Sequence, residues 1–353
     1  VVEAGTFIPG PSSTSLFSAE YINSGDFNGD GFLDVVVSDG TVIPPMGMAM
    51  NNVAVQLGNG VGGFGAPIFG TAADNPTDIA VGNFNNAAGL DFAVVNTNSG
   101  NVSVFLTSAG GVPGMAASIA VGTGPIAIEA GDFSGDGNVD LVVANSGSDD
   151  VTVLIGDGAG GFAASTILSG GNTPSGVITG DFNGDGITDF AVANTGSQNV
   201  VVMISDGAGA FPTSVTTQIL GTFNLQRMVA ADFNADGVDD IGVGGNPSFT
   251  VGINNGAGGF ILQSLAGTAN AAAVGDFDND GDIDIVLDTN ANVTTLVNDG
   301  TGVFGLGSQV ATRSGLNIFD ITAGDFNNDG LPDVMTANDG GGSFVDSLIN
   351  DSQ

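Results

Sequence analysis

The acidic phrase Gly-Asp-Phe-Asn-Gly-Asp-Gly-Phe-Leu-Asp at residues 25–34 returns along the whole chain, and its period constrains the fold more than any single residue. Aligned on the first acidic position, the copies begin at Asp26, Asn83, Asp132, Asp181, Asp232, Asp276 and Asp325, in steps of 57, 49, 49, 51, 44 and 49 residues. Seven copies near a 50-residue period suggest a closed repeat architecture. In the fourth copy an apolar run at 177–179 precedes the loop and a second at 190–193 follows it. A third, at 200–204, leads into a glycine-rich turn ending at Phe211, and a less regular stretch completes the unit. Such short runs of Val, Ile and Phe, bounded by Gly, Asn, Asp and Pro, read as strands. Four strands per unit and seven units predict an all-β, seven-bladed β-propeller in a single domain over residues 1–353.

The chain ends fit a ring. The last unit stops at 348–351 without the Gly-x-Phe piece that closes the others, and Ala4, Gly5, Thr6 and Phe7 supply it. Residues 1–16 are therefore expected to complete the seventh blade, so that the two terminal segments share it and no blade edge is left open.

Only Arg227 and Arg313 are basic, against 38 acidic residues, for a formal net charge of −36. A surface of that sign repels nucleic acid and anionic membranes. High charge with few aromatics can mark disorder, but here 42% of residues are hydrophobic and follow strand periods. No stretch has the length of a membrane span, so no membrane insertion is expected. The first residues, Val-Val-Glu, fit a mature product after signal-peptide removal, and the expected location is extracellular or cell-surface.

The repeated loop is built to hold a hard cation. In the fourth copy Asp181, Asn183 and Asp185 occupy positions 1, 3 and 5, Gly186 permits the sharp turn, Ile187 offers a backbone carbonyl, and Asp189 closes the loop. Oxygen donors in such an arrangement suit Ca²⁺ better than Mg²⁺, which demands a tighter octahedron. Two carboxylates about 5 Å apart repel by roughly 3 kcal/mol at an effective dielectric of about 20, so an empty loop is disfavoured. Six copies carry the full set. They are Asp26, Asn28, Asp30 and Asp34; Asp132, Ser134, Asp136 and Asp140; Asp181, Asn183, Asp185 and Asp189; Asp232, Asn234, Asp236 and Asp240; Asp276, Asp278, Asp280 and Asp284; and Asp325, Asn327, Asp329 and Asp333. The copy at Asn83 keeps Asn85 and Asp91, gains an extra residue among Asn86 to Gly89, and has lost two charges and its register; no ion is expected there.

The Asp-Phe-Asn-x-Asp-Gly-x-x-Asp loops, the Asn-Asp-Gly-x-Gly-x-Phe turns and the sevenfold repeat resemble FG-GAP or VCBS-type repeats, the family that includes the propeller of integrin α subunits. The resemblance covers nearly the full chain. It implies a seven-bladed propeller with calcium between the first and second strands of blades, and roles in adhesion, ligand binding or extracellular scaffolding. The integrin version carries calcium in only some blades, so six complete loops depart towards a more structural use of the ion.

The chain contains no His, Cys or Lys, so the commonest bases and nucleophiles are missing and no enzymatic activity is expected. Five residues before each loop stand Tyr21, Asp78, Ala127, Gly176, Arg227, Ala271 and Asp320, which should ring the axis on the face away from the loops. The only Tyr, one of two Arg and two Asp fall on this ring, making Tyr21, Asp78, Arg227 and Asp320 candidate ligand-binding residues. Met46, Met48 and Met50, in an insertion that accounts for the long first step, are candidate partner contacts. Together these features predict an adhesion or structural scaffold with a protein partner or self-association into a larger assembly. The alternative is a lectin-like propeller binding a glycan on the ring face. The absence of Trp and the single Tyr count against it, since sugar sites usually offer an aromatic platform.

Overall fold

The computed structural model describes residues 7–10, 13–14, 19–39, 42–43, 48–49, 52–219, 224–225, 227–266, 269, 271–289, 292–311, 318–338 and 344–351. Seven antiparallel sheets, each built on four strands, stand side by side as the blades of a propeller, and the described residues contain no helix. In chain order the innermost strands are Tyr21–Gly25, Pro76–Gly82, Pro125–Gly131, Pro174–Gly180, Met228–Ala231, Ala272–Gly275 and Ile318–Gly324.

The fourth blade shows how sequence sets each layer. Asp189–Asn194 and Asn199–Ile204 pair with Val192 opposite Val201, and both strands are buried on both faces. Continuous apolar runs fit that position, as they do in sheets covered on two sides. The outer strand, Thr213–Gln218, alternates towards solvent and is accordingly Thr- and Ser-rich.

The core lies between blades. Seven separate apolar clusters fill the seven interfaces, and the Phe at the second position of each acidic loop plugs one of them. Phe27, Phe133, Phe182 and Phe277 are wholly buried. At six interfaces that ring meets the turn Phe of the next blade edge-on, as in Phe133 with Phe211 at 5.9 Å and Phe233 with Phe304 at 5.2 Å. Such edge-to-face pairs add about 0.5–1.5 kcal/mol beyond burial.

Phe7 takes the turn position for the seventh blade, packing at 5.7 Å on Phe277. Phe7–Pro9 runs antiparallel to Phe344–Asn350, with Phe7 opposite Asn350, so the N-terminal and C-terminal segments share that blade. Ser13–Thr14 pairs further along the same strand, while residues 1–6, 11–12 and 15–16 of the expected segment lie outside the described residues. The insertion in the first blade carries a two-residue hairpin, Val42–Ile43 with Met48–Ala49. Met46 and Met50 lie outside the described residues, and the Met48 side chain is likewise not described.

Blades are also stapled through the loops. The third strand of one blade sends a side chain to the loop Phe carbonyl of the preceding blade: Thr107 to Phe27, Ser205 to Phe133, Asn254 to Phe182, Asn298 to Phe233 and Asn350 to Phe277. At the other two interfaces a turn amide does the same, Gly160 to Phe84 and Gly62 to Phe326.

Candidate metal loops and an axial cavity

Each acidic loop leaves an inner strand on one face of the propeller and wraps its carboxylates with its own amides. In the fourth blade Asp181 Oδ1 accepts from Gly184 N at 2.7 Å, Asp181 Oδ2 from Gly186 N at 2.7 Å, and Asp185 Oδ1 from Ile187 N at 2.8 Å. Closing so tight a turn requires positive φ at Gly184 (77°) and Gly186 (79°). Positions 1 and 3 are half-buried, position 5 is exposed, and position 9 is buried.

The ninth residue has a second task that its place in the motif does not announce. Asp34, Asp91, Asp140, Asp189, Asp240, Asp284 and Asp333 each accept the amide of the loop Phe at 2.9–3.1 Å. With the other oxygen each accepts an amide at the end of the third strand, at 2.6–2.9 Å. Burial nevertheless raises their pKa values, to about 6 for Asp34, Asp189, Asp240 and Asp333 and about 7 for Asp284, because desolvation outweighs the amides. A cation beside them would favour the charged form.

The sixth-blade loop gives the strongest indication of a cation. Asp276, Asp278 and Asp284 bring one carboxylate oxygen each within 4.8 Å of one another, a group that could hold a metal ion. Asp278 is 7% exposed, and neither of its oxygens has a hydrogen-bond partner of good geometry, although the nearby Asp280 amide opposes part of the rise that burial gives its pKa. A buried carboxylate without a donor is costly unless a cation compensates it. Four of the other complete loops carry Asn at this position, whose amide donates to the position-5 carboxylate at 2.8–3.0 Å and relieves part of the repulsion. The oxygen-only donor set fits a hard cation such as calcium.

The loop at Asn83 departs from the pattern in a compensated way. Its expected extra residue precedes Gly89, but one is missing after it, so Phe84 still donates to Asp91 seven residues on, at 3.0 Å. The glycine with φ of 89° therefore moves one position later, to Gly89, and Ala87 stands where the others have Asp. Overall length is kept and only the internal register is lost. Asn83 and Asn85 instead bind their own loop, Asn83 Nδ2 to Ala87 O at 2.9 Å and Ala87 N to Asn85 Oδ1 at 2.7 Å.

On the opposite face the inner strands begin around a cavity of about 630 Å³, continuous in lining with a polar cavity of about 120 Å³ further down the axis. Arg227 spans the passage: Nη1 lies 3.3 Å from Asp78 Oδ1, Nη2 lies 3.2 Å from Asp320 Oδ2, and the guanidinium sits 4.9 Å from the Tyr21 ring centroid. Four blades thus meet at one cation. Tyr21, Asp78, Ala127, Gly176, Arg227 and Asp320 line the two cavities as the register predicts, whereas Ala271 is wholly buried between the sixth and seventh blades.

Two further residues belong to this site. Glu129, two positions along the third inner strand, lines the lower cavity, and Phe319, 39% exposed, lines the upper one. Burial and the carboxylate of Asp78 push Glu129 up to about 8. Asp320 is raised to about 6 by burial, although Arg227 opposes the shift. Glu is scarce in this chain, occurring only at 3, 20 and 129, and two of the three line the axial cavities. That scarcity is the signal by which the sequence marks Glu129.

A family model described as FG-GAP-like repeat matches residues 132–192, 181–243 and 276–336. No curated protein sequence matches the chain significantly. Among solved structures, the BBS1N–ARL6DN complex includes a chain 13% identical with a TM-score of 0.68, covering 99% of both chains. An Agrocybe aegerita lectin described as recognising non-reducing terminal N-acetylglucosamine is 20% identical with a TM-score of 0.59, covering 92% of this chain and 86% of its own. Kuenenia stuttgartiensis hydrazine synthase is 16% identical with a TM-score of 0.64, covering 96% and 97%. At these identities the likeness is one of fold.

Proposed function

Since this chain is a β-propeller of FG-GAP-like repeats, we propose that it is a calcium-stabilised, non-enzymatic binding scaffold that works outside the cell or at its surface. The observation that carries the reading is Asp278, a buried carboxylate with no donor, grouped with Asp276 and Asp284. Calcium held by these three would compensate the charge, and the matching loops of five other blades extend the same chemistry around the ring. Filling each site at about tenfold above its dissociation constant adds roughly 1.4 kcal/mol, so six would add about 8 kcal/mol, comparable to the stability of a typical domain. Six divalent ions would also bring the formal charge from −36 to about −24, easing approach of a partner or a second copy.

The test is a thermal-melt and light-scattering series on chelated protein as calcium is restored. The expected result is a melting temperature that climbs steeply with calcium. Growth in particle mass would mark an assembling scaffold, and constant mass a monomeric one. A melting temperature indifferent to calcium would refute the proposal.

A further inference from the structure

We propose that the axial cavity binds a protonated alkyl amine, either a lysine side chain of a partner protein or a free diamine. This names the partner chemistry of the scaffold proposed above and depends on that reading only for the existence of a partner.

The balance of charge favours a cation. Among the described residues, Asp78, Glu129 and Asp320 line the lower cavity and Glu20 and Asp288 the upper one, against one base, Arg227. Both terminal nitrogens of Arg227 are engaged by Asp78 and Asp320, and its face lies over Tyr21. An anionic ligand would have to break those contacts and approach a chain of net charge −36, whereas a cation is drawn in by both. Burial, and after it the carboxylate of Asp78, push Glu129 up to about 8, so a cation arriving beside it would favour its charged form.

Hydrogen-bond direction on the cavity wall favours a donor independently of charge. The hydroxyls of Ser175 and Thr195, on the cavity wall, both donate to the carbonyl of Leu225, and Thr195 Oγ1 lies 2.9 Å from Ser175 Oγ. Thr173 donates to Asn172 Oδ1 at 3.3 Å. With their protons so used, these hydroxyls meet the cavity as acceptors. An ammonium group, a pure donor with three N–H bonds, fits that stretch of wall directly, whereas a sugar hydroxyl would also draw on the donors of Asn224 and Ser146 elsewhere on it. Beside them Ile126, Ile318 and the exposed Phe319 offer an apolar shelf for methylenes, and Phe319 offers a ring face to a cation.

Tyr21 is the only Tyr and the chain has no Trp, so its emission reports on this site alone. Calcium-loaded protein would be titrated with 1,5-diaminopentane and with Nα-acetyl-lysine methylamide, against 1,5-pentanediol, glutarate and N-acetylglucosamine. The expected result is a saturable change in emission with the amines, weakened by salt and absent with the neutral and anionic compounds. Glu129→Gln is expected to weaken amine binding about tenfold without lowering the melting temperature. Tighter binding of the lysine derivative assigns a protein partner, and tighter binding of the diamine a free one. Equal response to the diol or the sugar, or no saturable response to either amine, would each overturn the proposal. A parallel melt follows the loops, so failure of the calcium scaffold appears there and failure of the amine site in the emission.

Discussion

Replacing Arg227 by Met leaves Asp78 and Asp320 in place without their counter-charge. At 3.3 and 3.2 Å each contact is worth about 5 kcal/mol gross at an effective dielectric of about 20. Part of this is recovered because the guanidinium no longer has to be desolvated, and removing one partner of a buried pair typically costs about 3–5 kcal/mol net. The loss should depend on pH with a definite sign. In the native protein Asp320 titrates near 6, above its ordinary 3.8, because burial dominates. Without Arg227 both carboxyls rise further. A folded state that holds protons the unfolded chain has released is favoured at low pH, so the penalty is absent below about pH 4 and grows as pH rises through the folded values. Urea unfolding followed by far-UV circular dichroism, in saturating calcium, should therefore give a loss of about 1 kcal/mol at pH 5 and about 3–5 kcal/mol at pH 8. The charge-free combination Arg227→Met, Asp78→Asn, Asp320→Asn should recover most of the difference. An equal loss at both pH values would refute the reasoning and leave only packing against Tyr21.

Two other substitutions separate structure from metal. Asp91→Ala strands the amides of Phe84 and Thr107 and should cost about 2–4 kcal/mol, by the same amount with and without chelator; Asp189→Ala should lose its calcium increment as well, and melts of both variants decide. Asp278→Asn removes a buried carboxylate without a hydrogen-bond donor, so the chelated protein should melt higher while affinity at that loop falls about tenfold; terbium luminescence titration measures the second effect, and an unchanged profile in both assays would count against a cation there.

Much of this molecule can be read from its period. Once the loops are in register, the same offset carries Tyr21, Asp78, Arg227 and Asp320 to the axis, and the missing Gly-x-Phe at the C-terminal end points to Phe7. A repeat offset states which side of a strand a residue occupies, not what faces it across the channel. The offset therefore does not mark Glu129: Asp78, Arg227 and Asp320, the charges around it, come from three other blades. Phe319 was hidden among 23 Phe that loop and turn positions mostly explain. The double role of the ninth loop residue is also invisible in a complete motif, where a carboxylate bonded to amides and a carboxylate bound to metal look alike. The Asn83 loop separates them, because Asp91 persists there after the other carboxylates are gone.

A row of repeats held only by contacts between neighbours frays from its ends, where a terminal unit can peel off by breaking a single interface. Pairing Phe7–Pro9 with Phe344–Asn350 removes those ends. Every blade now has two neighbours, and the links from each blade to the preceding loop run around the circle without a first or last member. Loosening any blade means opening two interfaces at once, so partly unzipped forms are rarer than in an open array of equal length. Protection against amide exchange should be even around the circumference instead of fading towards one blade, as in a hoop with no loose stave.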